Sequence, residues 1–148
     1  MVPDRIERDI MISAPIERVW AVITESDHVG RWFGDAGAKI DLHPGGAFSC
    51  SWGEHGTVLG VVVKVEPPKF FSYRWARPLG ATVQPGNSTL VEFSLTPEGD
   101  GTRLKVVESG FRDLDLSDEA RAKYAGENRE GWGQELAELA SYVSGVKL

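Results

Sequence analysis

The chain has one cysteine, Cys50, and three histidines among 148 residues. A lone cysteine excludes an internal disulfide framework and fits a reducing compartment. His28, His43 and His55 lie in or beside turns and short helices, with no two at ligand spacing. A metal centre needs three or four convergent ligands, so none is expected. No apolar run approaches the roughly 18 residues that suggest a membrane span. The opening MVPDRIERDIMISAP is charged throughout and has no apolar core of a signal peptide. Positive charge is also in deficit, 16 Lys and Arg against 22 Asp and Glu, a net charge of −6. With no basic run interleaved with aromatics, nucleic acid is not an expected partner. Gly45-Gly46 has no G-x-x-x-x-G-K-[ST] after it, and Ser49, Ser51, Ser72, Ser94 and Ser109 occupy no nucleophile elbow. These absences set the expectation: cytoplasmic, no cofactor, no metal and no assigned catalytic residue.

What is present is ordinary globular material, 41% hydrophobic and 26% charged, of a length that suits one domain over residues 1–148. Ile6 to Ile12 reads as a strand. Ser13 is a candidate cap and Pro15 suits a first helical turn, followed by Ile16, Val19, Trp20 and Ile23 at helical spacing. A second start at Ser26-Asp27 precedes Val29, Trp32 and Phe33, with Gly34 as a stop. From Ala38 to Phe111 the period is mostly two, with turns at Gly45-Gly46, at Gly53-Glu54-His55-Gly56 and at Pro97 to Gly101. Consecutive strands joined by short turns imply an antiparallel meander. One connection, Ala76 to Ser88, is long enough for a lid or binding loop. At the end, Ser117-Asp118-Glu119 opens a short helix that Gly126 should interrupt. Trp132, Leu136, Leu139, Ala140 and Val143 then form the stripe of an amphipathic helix. The expected fold is α+β: a curved antiparallel sheet of six to seven strands around a long C-terminal helix, with two short helices after the first strand. A cavity is expected between sheet and helix.

The ordered segments PIERVWAVITESDHVGRWFG, GGAFSCSW, PPKFFSYRW, LVEFSLTPEGDGTRLKVVESGF and GWGQELAELASYV resemble the SRPBCC superfamily, the helix-grip or START-like fold. More narrowly they resemble its bacterial branch named for the activator of the heat-shock protein 90 ATPase, after that activator's C-terminal domain. The resemblance covers nearly the whole chain. It implies the fold, while the superfamily's functions range over lipid carriers, receptors, aromatase/cyclase enzymes and co-chaperone domains. Two features depart from the branch: the longer Ala76–Ser88 connection, and Glu108 where a histidine or another polar residue is common.

Glu108 is the oddest residue. In KVVESGF it shares a strand face with Leu104 and Val106, and a buried carboxylate needs partners or must keep its proton. It is either a ligand anchor or a carboxylate tied down locally. Tyr73 and Trp75 carry polar handles that could orient a ligand, and Trp32, Phe33, Trp52, Phe93, Trp132 and Leu136 would surround it. The leading expectation is a binding protein for a small hydrophobic, aromatic or lipid-like ligand. A cyclase- or hydrolase-type enzyme is the alternative, with Glu108 and Tyr73 in acid/base roles. The resemblance adds a third reading, contact with a chaperone ATPase, and a homodimer is a further option. Gly131 and Gly133, flanking Trp132, suggest close approach of another element, either the Val29–Phe33 helix or a strand.

Overall fold

A computed structural model describes residues 2–53 and 55–145; Glu54, expected at a hairpin tip with His55, lies outside the described residues. The strands are β1 (Arg5–Ile12), β2 (Ala38–Ile40), β3 (Ala47–Trp52), β4 (Gly56–Glu66), β5 (Phe70–Ala76), β6 (Ser88–Glu98) and β7 (Gly101–Ser109). They form one antiparallel sheet in the order β1-β7-β6-β5-β4-β3-β2. From β2 to β7 this is the expected meander. The first strand then closes beside the last, with Ile6 opposite Glu108 and Ile12 opposite Thr102. Helices α1 (Ile16–Thr24) and α2 (Ser26–Trp32) follow β1, and α3 (Asp118–Gly145) crosses the concave face.

Alternation decides which side of each strand is buried. On β6, Thr89, Val91, Phe93 and Leu95 turn inward, and on β7 Leu104, Val106 and Glu108 do the same. Val19, Val22 and Ile23 of α1 and Val29 and Trp32 of α2 join this core. The Trp32 indole N–H donates to the Val22 carbonyl at 2.8 Å and clamps the two short helices together. Gly34 then brings the exit of α2 onto β3. A Cβ there would stand 2.6 Å from the Cys50 sulfur and from the Ser51 carbonyl, so only glycine fits.

Three local expectations are corrected. Gly126 does not interrupt α3, which runs unbroken for 28 residues. Glycine lowers helix propensity by about 1 kcal/mol. That penalty is small against the packing of Ala125, Trp132, Leu136, Leu139 and Val143. Ser13 does not cap α1; the Pro15 carbonyl receives the first amide hydrogen bonds, from Arg18 and Val19. Of the paired glycines only Gly133 meets a neighbour, the Arg8 guanidinium of β1, while Gly131 faces open space. Arg8 also donates to the Arg129 carbonyl at 3.0 Å and so ties the edge strand to the long helix.

Candidate functional site

Glu108 faces inward and is completely buried. Its carboxylate is met by four neutral donors. On Oε1, the Asn128 amide donates at 2.9 Å and the Trp132 indole at 3.0 Å. On Oε2, the Thr89 hydroxyl donates at 2.5 Å, the Trp75 indole at 2.9 Å and the same Asn128 amide at 3.1 Å. Among the described residues Glu108 forms no ion pair. A carboxylate has about four lone-pair sites, and five contacts saturate them. Hydrogen bonding to this degree lets a carboxylate sit in a core without a cation.

Each donor is placed by its element. Trp75 and Thr89 are paired across β5 and β6, and Val91 pairs with Glu108 one strand further. Asn128 and Trp132 lie four residues apart, on one side of α3. Tyr73, Val91 and Glu108 form one transverse row of the sheet. Tyr73 therefore shares the inner face with Glu108, but a whole strand separates them and no hydrogen bond joins them. Burial, and secondarily the Glu108 charge, push the Tyr73 hydroxyl well above the ordinary tyrosine range.

The other residues singled out from the sequence pack on one another. Phe33 stacks on Trp132 at 5.3 Å and 9°, and on Trp75 at 5.7 Å and 20°. Trp52 meets Phe33 edge-on at 5.3 Å, and its indole donates to the Phe33 carbonyl at 2.9 Å. Phe93 stands edge-on to Trp132 at 5.7 Å, and Tyr73 stacks on Phe48 at 4.0 Å. Trp32 leans on Phe33, and Leu136 is buried one turn beyond Trp132. Around Glu108, then, the space between sheet and helix is occupied by aromatic rings.

Open volume lies further out. A cleft of about 510 Å³ separates the 77–87 connection from the start of α3. Pro78, Pro85, Leu114, Leu116 and Tyr124 give it an apolar lining, with Arg77 and Lys123 beside them. The Arg77 guanidinium lies 5.0 Å over the Tyr124 ring. The Tyr124 hydroxyl is pushed up to about 12 by burial and then by the Glu108 carboxylate. The connection is tied down: Gly80 N–H donates to the Thr57 carbonyl at 2.8 Å, and Asp115 N–H to the Gly86 carbonyl at 2.7 Å.

Sequence reasoning missed Thr89, Asn128 and Tyr124. Thr89 was detectable as the polar first member of an inward apolar series on β6. Asn128 and Tyr124 precede Trp132 by four and eight residues, and the expected break at Gly126 hid that alignment. His43 sits on the surface, where a hydrogen bond to the Pro44 carbonyl and the Asp41 carboxylate raise its pKa. His28 bonds Tyr142 at 2.7 Å. Among the described residues no cluster of His, Cys, Asp and Glu could hold a metal, and no helix is long and apolar enough to cross a membrane.

The fold has relatives. Protein MLL2253 of Mesorhizobium loti is similar at 27% identity over 97% of this chain and 99% of that one, with a TM-score of 0.80. CalU16 of Micromonospora echinospora is 26% identical over 95% of this chain and 76% of its own, with a TM-score of 0.69. The Aha1 dimer of Colwellia psychrerythraea shares the fold at 18% identity, with 94% and 95% coverage and a TM-score of 0.75. No curated protein is a significant match. The family model described as activator of Hsp90 ATPase homolog 1-like protein matches residues 13–144, and the chain belongs to that family.

Proposed function

We propose that this protein binds a small apolar or aromatic molecule at the open end of the grip, in the cleft between the 77–87 connection and α3. The observation that carries the reading is the cleft, whose volume of about 510 Å³ falls in the range of small-molecule sites. Its lining suits such a guest: prolines and leucines for apolar contact, and Tyr124 with Arg77 as a planar wall. Phe111 stands edge-on to Tyr124 at 5.6 Å and supports this wall. Tyr73, Trp75, Trp32, Phe33, Trp52, Phe93, Trp132, Leu136 and Glu108, the contacts expected from the sequence, belong to the packed interior and do not line the cleft. Binding is favoured over acid/base catalysis because the acceptor sites of Glu108 are already filled and Tyr73 is a strand away.

A thermal-shift and NMR screen with aromatic and lipid-like compounds tests this reading. Hits should shift amide resonances around Tyr124 and Leu116, and Leu116→Asp should weaken them about tenfold or more. Hits that bind equally well to Leu116→Asp would place the site elsewhere, and a screen with no hits would count against the reading. Contact with a chaperone ATPase is a second reading, supported by the family's name. Self-association has the dimeric Colwellia relative behind it, and light scattering on the purified chain decides it.

A further inference from the structure

One partly buried acid is used by nothing described so far. Glu135 lies on α3 one turn beyond Trp132, and its Oε2 is buried without a hydrogen-bond partner. Buried polar groups are nearly always paired, so an orphan calls for a physical account. No basic side chain among the described residues pairs with it. The ionisable groups that it meets all make its charge less welcome. Glu138 on its own helix repels it. The Glu135 charge also reaches Cys50 of β3 and Tyr73 of β5 and raises both, and Asp35 after α2 acts on Cys50 as well. Burial first, and Glu138 second, push the Glu135 carboxyl up to about 8. Cys50 itself is completely buried at the seam where Gly34 brings the exit of α2 onto β3.

We propose that the Glu135 carboxyl is a proton latch that holds α3 against β3 and α2 while it keeps its proton, and lets that seam open once it ionises. The linkage has a definite sign. When the seam is closed the acid keeps its proton up to about pH 8; exposed to water it would release it near its ordinary 4.5. Between those two values the closed form binds more protons than the open one, so opening becomes easier as pH rises and levels off above the upper value. Local opening of this kind need not unfold the sheet.

Cys50 is the built-in reporter. The full chain and Glu135→Gln are treated with a neutral disulfide reagent at pH 5 and pH 9, and the rate of Cys50 modification is compared at each pH. Comparison at equal pH removes the ordinary pH dependence of thiol reactivity. The ratio of wild-type to Glu135→Gln rates should rise at least tenfold from pH 5 to pH 9. The residual bias opposes this result, because an ionised Glu135 disfavours the neighbouring thiolate in the wild type. Glu135→Leu, folded by its melting curve at pH 5, should behave like Glu135→Gln and guards against a defect peculiar to the amide. A ratio that stays flat overturns the latch, as does a Glu135→Leu rate that climbs with pH like the wild type's.

Discussion

Two carboxylates flank Trp132 along the inner side of α3, and the fold accommodates them in opposite ways. Glu108 is wrapped by the Trp75, Thr89, Asn128 and Trp132 donors, so its burial is met by hydrogen bonds. Glu135, beyond Trp132, has an oxygen with no donor and keeps its proton instead. What differs is the supply of N–H and O–H groups: two indoles, a hydroxyl and an amide converge on the first, and none of these reaches the second. A buried acid thus reads as structural or as switchable according to its donors, more than to its depth.

The comparison can be broken from either side. Glu108→Ala should have the largest effect, since it strands two buried and two partly buried donors at about 1–3 kcal/mol for each buried one, less than additively. A loss of about 3–5 kcal/mol in urea unfolding is expected, a large fraction of the roughly 5–15 kcal/mol of a typical domain. A loss below 1 kcal/mol would mean that the network is dispensable. Thr89→Val removes the shortest of the hydrogen bonds while keeping the shape, and should cost about 1–2 kcal/mol. Glu135→Gln should have the smallest effect and one that depends on pH. Its folded-state value is raised above the unfolded one, so the wild type loses stability as pH rises from about 4.5 to about 8. Discounted for partial exposure, the variant should gain about 1 kcal/mol on the wild type across that window. That corresponds to ~2–4 °C in melting temperature for a domain of this size. Parallel melting curves at all pH values would remove the distinction between the two acids.

Much of this was legible in the sequence, because period and turn chemistry are local. The strand faces, the two short helices and the inward Glu108 follow from alternation and spacing that any reader of Leu104, Val106 and Glu108 can count. The continuity of α3 through Gly126 was not, since it depends on packing supplied from across the molecule. Nor could spacing show whether rings or empty space would lie between sheet and helix. Phe33 leaves α2 to stack on Trp75 and Trp132, and that meeting joins three distant segments. Glu135 escaped for a similar reason: an acid on an amphipathic helix looks solvated until its neighbours across the interface are known.

The pairing of β1 with β7 has a consequence for the order of folding. The meander from β2 to β7 joins neighbours in the chain, but Ile6 reaches Glu108 only across almost the whole sequence. Contacts that close such long loops form late. The donors around Glu108 come from β5, β6 and α3, so the carboxylate sheds its water only when the last helix docks. Substitutions in this network should therefore speed unfolding and leave the refolding rate nearly unchanged. Stopped-flow kinetics on Thr89→Val would show it, and a slowed refolding arm would place the network in the folding nucleus instead.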